Sequence, residues 1–305
     1  MIIRVLGSAA GGGFPQWNCN CRNCSGLRAG TLRATARTQS SIAVSTDGRH
    51  WVLCNASPDI HRQIAANFPP DPERGLRDSA IAATILVDGQ VDHSAGLLLL
   101  RENRAPLEVW STDSVRADLI TGFPVLRVLD HYCRVEWHRI PTGGEWFAVP
   151  ALAGIEIKAL AVPGKPGPYS PHREQPRSGD NIALVFRDGA SRRQAFYAPA
   201  LQAITPAVEE ALAASACVLI DGTFWTDEEM ITLGASSKTA TAMGHLPQHG
   251  PGGMIEVLGR IPRATRRILI HVNNTNPILD EAGPERALLE GTGIEVAFDG
   301  MEITA

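Results

Sequence analysis

Residues 81–97 read IAATILVDGQVDHSAGL, and this stretch decides the fold. Its first part, 81–87, has the aliphatic and β-branched composition of a buried strand, and Asp88-Gly89 is a turn signal. The Asp92-His93 pair then precedes Leu97, where an apolar run typical of a helix begins. Sites assemble at strand ends in α/β folds, because the sheet fixes the backbone while the loops leave room for ligands. The stretch therefore predicts a strand, a turn and a pair of ligand side chains before a helix.

Two further ligand residues stand at the ends of apolar runs. Asp221 follows Val218-Leu219-Ile220, and His271 follows Ile268-Leu269-Ile270. Two histidines and two carboxylates without a thiolate suit Fe(II), Mn(II) or Zn(II). The alternative, that these four are unrelated core or cap residues, stays open at this point. A second Asp-His pair at Asp130-His131 has no such frame and shows that the dipeptide alone carries little information.

Three cysteines crowd a loop near the start of the chain. Cys19, Cys21 and Cys24 follow a glycine-rich stretch, Gly11-Gly12-Gly13, and this spacing can wrap a tetrahedral Zn(II) in a structural site. The alternative is three reduced loop cysteines. The glycine stretch lacks the phosphate-loop and dinucleotide-binding patterns, so nucleotide binding is not expected.

Composition narrows the class of protein. The 305 residues carry a net charge of −4 and 44% hydrophobic residues, without a run of Lys or Arg, so no nucleic-acid partner is expected. The start of the chain lacks the features of a secretory signal, and the apolar runs are too short to cross a bilayer. We therefore expect a cytoplasmic protein with no membrane partner.

The order of the predicted elements indicates an α/β fold. Two hairpins are expected, within 41–55 and 181–197, together with an exposed loop over 163–178 and a closing strand over 294–298. Ser57 is expected to cap the helix that follows it. Two β-rich halves that each finish in helices predict a four-layer αββα sandwich, as a single domain over residues 1–305.

The frame around Asp92-His93 resembles the metallo-β-lactamase superfamily, in which a strand is followed by His-x-His-x-Asp-His. Here the six positions are residues 88–93, and only the last two match, because Asp88 and Gln90 replace the first two histidines. The later loop that would supply a third histidine, 161–165, has none. The resemblance implies that the first metal position is lost, and that Asp92, His93, Asp221 and His271 form the second one complete.

Longer matches, in order along the chain, resemble the family of pyrroloquinoline quinone (PQQ) biosynthesis protein B within that superfamily; they lie at 7–24, 55–59, 92–98, 220–225, 243–247 and 271–277. This resemblance implies a metallo-β-lactamase fold and an oxygenase that uses Fe(II) to hydroxylate the tyrosine ring of a small cross-linked Glu-Tyr precursor. Dioxygen would be the second partner, and the cysteines would hold structural Zn(II). An alternative for the family is a carrier that helps PQQ or its precursor to reach the periplasm. Whether the protein forms a homodimer stays open.

The resemblances also suggest residues around the metal. His245, in Met243-Gly244-His245, is similar in place to a Gly-His-Ser segment of tRNA 3′-end processing endonucleases, which makes it a candidate acid/base. Asn273 and Asn274 are candidate substrate contacts, and Asn274 also stands where a related phosphodiesterase has the fourth ligand of its cysteine site. Basic residues of the long loop could meet substrate carboxylates: Lys165, His172, Arg173 and Arg177. Turn chemistry and a solvated loop are the alternatives.

Overall fold

Two seven-stranded sheets face each other in this computed structural model, which describes residues 1–71 and 73–305. The first sheet has the spatial order β14 (Glu302–Thr304), β1 (Ile2–Gly7), β2 (Ser41–Ser45), β3 (Trp51–Cys54), β4 (Ile81–Ile85), β5 (Leu107–Ser111) and β6 (Val135–Arg139). The second has the order β13 (Ile294–Val296), β12 (Arg266–Ile270), β11 (Cys217–Asp221), β10 (Gln194–Ala198), β9 (Ile182–Asp188), β8 (Ile155–Ala161) and β7 (Trp146–Phe147).

Each sheet is antiparallel on one side and parallel on the other. Strands β3 to β6 run parallel in the first sheet, and β10 to β13 run parallel in the second. The predicted hairpins are confirmed as the antiparallel pairs β2–β3 and β9–β10. Because the parallel strands end at the same edge of their sheet, the loops after β4, β11 and β12 can meet at one site.

The helices connect and cover the strands; they are α1 (Arg22–Ala29), α2 (Ile60–Asn67), α3 (Val91–Ser94), α4 (Gly96–Leu99), α5 (Asp113–Ile120), α6 (Val125–Leu129), α7 (Pro206–Ala214), α8 (Glu229–Thr232), α9 (Ala240–Met243), α10 (Met254–Arg260) and α11 (Pro284–Gly291). A 3₁₀ turn spans Pro277–Leu279. Within the described residues, no helix combines the length and apolar character needed to cross a membrane.

Apolar packing arranges these elements in four layers. Between the sheets, Val5 and Val52 of the first belong to the same buried cluster as Leu219 and Ile268 of the second. On the outer face of the second sheet, side chains of α7, α10 and α11 pack against β11 and β12. On the outer face of the first, side chains of α5 and α6 pack against β5. The expected αββα sandwich is confirmed.

Three local expectations were wrong. Ser57 is not the helix cap, because α2 begins at Ile60 and the Ser57 hydroxyl instead accepts the Asp59 N–H and donates to Gln63. The closing strand is β14, which pairs with β1. The loop at 163–178 is only partly exposed, since Ser170 and His172 are buried in it.

Candidate metal centre

The Asp92-His93 pair lies on the one-turn helix α3, directly after β4. The backbone carbonyl of His93 accepts the Ala56 N–H at 2.7 Å, and Gly96 donates to the Ala56 carbonyl at 2.9 Å. A side chain at Gly96 would approach the Ser57 carbonyl oxygen to 2.1 Å, so this close packing requires glycine. The tight packing of α3 fixes where the two ligand side chains stand.

Asp88 orients the imidazole of His93. Both carboxylate oxygens of Asp88 lie within 2.9 Å of His93 Nδ1, so Nδ1 carries the proton and Nε2 is left free as a ligand. His93 Nε2 is buried and has no hydrogen-bond partner among the residues that the structure describes. Burial alone would lower the pKa of His93, but the charges of Asp88 and Asp92 raise it to about 9, so an ion bound at Nε2 would take the place of a second proton on the ring. A buried nitrogen that makes no hydrogen bond and lies beside a carboxylate fits the role of a cation ligand.

His271 follows β12 with a backbone φ of 63°, a left-handed conformation that is uncommon for a residue other than glycine. Its Nδ1 lies 2.8 Å from the Thr223 hydroxyl, and its Nε2 lies 3.3 Å from Asp92 Oδ2. Burial opposes ionisation of Asp92, yet the neighbouring His93 and His271 hold the pKa of this carboxyl well below its usual range. The left-handed turn therefore directs the imidazole of His271 toward the Asp92-His93 pair.

Asp221, at the end of β11, is fully hydrogen-bonded on both oxygens. Oδ1 accepts the N–H and the hydroxyl of Thr223, at 2.9 and 2.6 Å. Oδ2 accepts the Leu201 N–H and lies 2.8 Å from His245 Nδ1. Burial would raise the pKa of Asp221, but His245 lowers it, and Asp221 in turn raises the pKa of His245 against the effect of burial.

The structure brings all four predicted ligands together, in two groups that share His271. Asp92, His93 and His271 form one group of ligand atoms within 4.8 Å of one another, and Asp221, His245 and His271 form the other. In the first group, His93 Nε2 and His271 Nε2 lie 3.8 and 3.3 Å from the same oxygen of Asp92. Two imidazoles and one carboxylate that converge in this way fit a single divalent ion.

A cleft of about 380 Å³ opens above these groups. Asp92, His93, His245 and His271 line it together with residues from several other segments of the chain: Gln90, Pro163, Gly164, Lys165, Pro168, Arg173, Asn181, Ala200, Gln202, Lys238, Ala242, Met243 and Gly244. The size suits a small molecule. The expected loop residues Lys165 and Arg173 line the cleft, whereas His172 and Arg177 do not.

His172 instead fastens the long loop to the body of the protein. Its Nε2 lies 2.9 Å from Asp180, and its Nδ1 lies 3.0 Å from the hydroxyl of Ser170, which donates to Asp118 of α5 at 2.8 Å. Burial raises the pKa of Asp118. The Tyr169 hydroxyl also donates to the Gly89 carbonyl. These buried bonds hold the loop at the side of the cleft.

The three cysteines gather before and within α1. Backbone N–H groups point at their sulfurs, from Gln16 to Cys24 and from Cys21 to Cys19, each at 3.4 Å. Burial opposes the thiolate of Cys19, but hydrogen bonds from Cys21 lower its pKa; burial raises the pKa of Cys24 to about 11. N–H groups directed at clustered sulfurs suit thiolates on a metal ion.

Asn274 stands over the cysteine triangle. Its terminal amide nitrogen lies 3.1, 3.6 and 3.3 Å from Sγ of Cys19, Cys21 and Cys24. A tetrahedral zinc site with three sulfurs and one lighter ligand separates neighbouring ligand atoms by about 3.5 Å. The amide therefore occupies the fourth corner, where it offers either its N–H to the thiolates or its oxygen to the ion. The three cysteines and Asn274 fit zinc.

The positions of Asn273 and Asn274 differ from their expected role as substrate contacts. Asn274 faces the sulfurs, and Asn273 donates to Thr275; neither lines the cleft. The cause is the turn after His271, which directs the following side chains away from the cleft.

The comparisons with known proteins agree with the fold. A model of the β-lactamase superfamily domain matches residues 50–272. The coenzyme PQQ synthesis protein B of Azoarcus sp. (strain BH72) is 56% identical over all of both chains, and that of Methylococcus capsulatus (strain Bath) is 52% identical over 99% of both. The chain belongs to the coenzyme PQQ synthesis protein B family.

Solved structures lead to the same family. A Zn²⁺-bound PqqB from Methylobacterium extorquens is 38% identical over all of both chains, with a TM-score of 0.88. A diphosphatase of the PhnP family, 19% identical over 99% of this chain and 96% of its own, has a TM-score of 0.67 and shares the fold. The expected metallo-β-lactamase fold of this PQQ synthesis protein B family member is thereby confirmed.

Several residues that support the site were missed by the sequence reasoning. Asp88 was interpreted only as a lost ligand, yet it orients His93. Thr223 was not singled out, although its hydroxyl contacts Asp221, His245 and His271. A hydroxyl two residues after a strand-end Asp is a weak signal, whereas an acid at an expected ligand position could have been interpreted as an orienting group.

Glu229 of α8 was also missed. It accepts the N–H of Trp225 at 2.6 Å and the hydroxyl of Thr275, so it supports the segment that carries Asn274. Burial raises the pKa of Glu229 to about 7. A carboxyl with this pKa makes stability depend on pH in the neutral range.

Replacing Asn274 tests the fourth corner of the cysteine site. We expect Asn274→Ala to weaken zinc binding roughly 10- to 100-fold, and Asn274→His to restore it, because an imidazole is a common zinc ligand. Competition with a chromophoric chelator measures the affinity. Asn273→Ala is the matched control, since its side chain faces Thr275. Zinc affinity in Asn274→Ala equal to the parent would show that the amide has no part in the site.

Replacing Glu229 tests the pH dependence. The folded protein binds a proton at Glu229 that the unfolded chain loses above about pH 4.5, so this contribution to stability is lost as pH rises through 7. Glu229→Gln lacks this titration and should gain roughly 1–3 kcal/mol relative to the parent between pH 5 and pH 8. Urea unfolding at both pH values measures it, with exposed Glu228→Gln as control. The same difference at both pH values would contradict the shift.

Proposed function

We propose that this protein acts in PQQ biosynthesis as an oxygenase that holds one Fe(II) ion on Asp92, His93 and His271. The observation that carries the proposal is the convergence of three ligand atoms: His93 Nε2, which makes no hydrogen bond within the described residues, and His271 Nε2 lie 3.8 and 3.3 Å from the same Asp92 oxygen. Two histidines and one carboxylate leave coordination positions open on iron. The family membership supplies the pathway, and the donor set supports redox chemistry.

Asp221 and His245 act beside this trio in the proposal. Four donors already fill the lone pairs of the Asp221 carboxylate, so its role is to orient His245 and, through Thr223, His271. This departs from the expectation that Asp221 is a fourth ligand. His245 lines the cleft and, held by Asp221, is placed to exchange a proton with the phenol of a bound substrate.

The proposed reaction hydroxylates the tyrosine ring of the cross-linked Glu-Tyr precursor. One atom of dioxygen replaces a ring hydrogen as a hydroxyl group, and the other leaves as water. Each hydroxylation therefore takes up two electrons and two protons, with the electrons coming from an external two-electron reductant. Fe(II) supplies the dioxygen chemistry when bound. The cleft holds the ring near the ligand trio and limits access of bulk water.

The cysteine site is proposed to hold a structural zinc ion. Cys19, Cys21 and Cys24 with Asn274 present a closed set of donors, as structural zinc sites do. The Methylobacterium extorquens relative binds Zn²⁺. The proposal therefore assigns different ions to the two sites, since sulfur-rich and nitrogen–oxygen donor sets have different preferences.

Oxygen uptake tests the proposed activity. Iron-loaded protein with the cross-linked dipeptide and ascorbate should consume dioxygen and give a product with added oxygen. His93→Ala should lower the rate at least roughly 100-fold, because it removes a ligand. The matched control is His50→Ala, an exposed histidine paired with Asp47. Equal uptake by His93→Ala and the parent would exclude this site; dipeptide binding without uptake would favour a carrier.

Iron content separates the roles of the two acids. We expect Asp92→Asn to lose bound iron, and Asp221→Asn to retain it within roughly tenfold in affinity while turnover falls, because Asp221 acts through its neighbours. Iron per protein after gel filtration and the rate of oxygen uptake are the two measurements. If Asp221→Asn loses as much iron as Asp92→Asn, Asp221 is a ligand, as the sequence alone suggests.

A further inference from the structure

Lysine is rare in this protein, and its distribution is uneven. Of 28 cationic side chains of Lys and Arg, only Lys158, Lys165 and Lys238 are lysines. Two of them, Lys165 and Lys238, line the cleft above the metal ligands. The third lysine, Lys158, lies over the Trp146 ring and does not line the cleft. Lysine presents a compact ammonium with three donors on a flexible stem, and this group can pair with a carboxylate.

The cationic residues of the cleft come from two separate loops. Lys165 and Arg173 belong to the loop held by His172, and Lys238 belongs to the segment between α8 and α9. Among the residues that line the cleft, Asp92 is the one acidic partner, and the proposed ion neutralises it. Asn181 and two glutamines supply neutral hydrogen-bonding groups. The cleft thus has a positive rim above a metal-binding floor.

One carboxylate of the protein already forms an ion pair with a cation of this rim. Glu174 lies 2.7 Å from the Lys165 ammonium, and both side chains are exposed. The hydrogen bond from Lys165 lowers the pKa of Glu174, and the charges of Lys165, Arg173 and Lys238 act in the same direction. All three cations therefore stabilise the ionised carboxylate of Glu174, which lies at the edge of the cleft.

We infer that Lys165, Arg173 and Lys238 form a carboxylate-binding rim, so that the cleft accepts a small polycarboxylate with its ring toward the metal ligands. Glu174 occupies Lys165 in the free protein and is displaced by a substrate carboxylate. The inference rests on the proposed function for the identification of the substrate's ring as the tyrosine ring of the precursor. The carboxylate-binding rim itself does not depend on that function. The inference deepens that function by assigning the anionic end of the substrate to named side chains.

Binding without turnover tests the rim separately from the oxygenase. The zinc-loaded protein is titrated calorimetrically with the cross-linked Glu-Tyr dipeptide, since zinc has no redox chemistry. Lys238→Gln and Arg173→Gln should weaken binding roughly 3- to 10-fold, as expected for loss of a charge-assisted hydrogen bond. Glu174→Gln should strengthen it roughly twofold, because an internal competitor is removed. Added salt should weaken binding by the parent more than by Lys238→Gln.

Two controls make the result specific. Lys158→Gln removes the one lysine outside the cleft and should leave the dissociation constant unchanged. The methyl ester of the dipeptide, with its carboxylates blocked, should bind about as weakly to the parent as to Lys238→Gln. In iron-loaded protein, Lys238→Gln should raise KM and leave kcat within about twofold, which a general structural defect would not do.

The outcomes for the rim and for the oxygenase are distinguishable. Equal dipeptide affinity in the parent, Lys238→Gln and Arg173→Gln, or no binding by the parent, overturns the rim whatever the oxygen electrode shows. Rim-dependent binding with no oxygen uptake supports the rim and contradicts the oxygenase.

Discussion

The proposed metal site depends on the hydrogen bonds of the Thr223 hydroxyl. This hydroxyl lies within 3.1 Å of Asp221, His245 and His271, and it also lies 2.9 Å from the His271 carbonyl. A hydroxyl has one proton and two lone pairs, so it donates to an oxygen and accepts from the imidazole nitrogens. This places the proton of His271 on Nδ1 and leaves Nε2 free toward Asp92. The chemistry of the site thus depends on which nitrogen of each ring is protonated.

The segment from His271 to Asn276 joins the two proposed metal sites. Its first residue belongs to the trio in the cleft, and Asn274 caps the cysteines. Asn276 donates to the carbonyls of Gly222 and Thr223, which returns the segment to the end of β11. An ion on the cysteines would hold this segment at its far end. The proposed cysteine site therefore supports the proposed site in the cleft, because it helps to fix the segment of chain that carries His271.

The fold and the candidate ligand positions could be predicted from the sequence more fully than the directions of individual side chains. Strand-end positions predicted that Asp92, His93, Asp221 and His271 lie close together, since apolar runs locate the sheets and parallel strands bring their ends together. Side-chain direction was not accessible in the same way. Asn274 was considered both as a substrate contact and as the fourth group of the cysteine site, and the structure places it at the cysteines. The sequence did not decide between the two, because a left-handed residue three positions earlier redirects the chain, and no sequence pattern marks such a residue when it is not glycine.

The way in which His172 is held has a consequence for how molecules enter and leave the cleft. The His172 imidazole lies between Ser170 and Asp180 and so joins the two branches of the loop, while Ser170 donates to Asp118 of α5; all four side chains are buried. A wall fastened in this way is part of the rigid scaffold, and swinging it outward would break several buried polar contacts at once. Small molecules would then enter and leave past a fixed loop. This favours binding in a preformed cleft over binding that requires the loop to close.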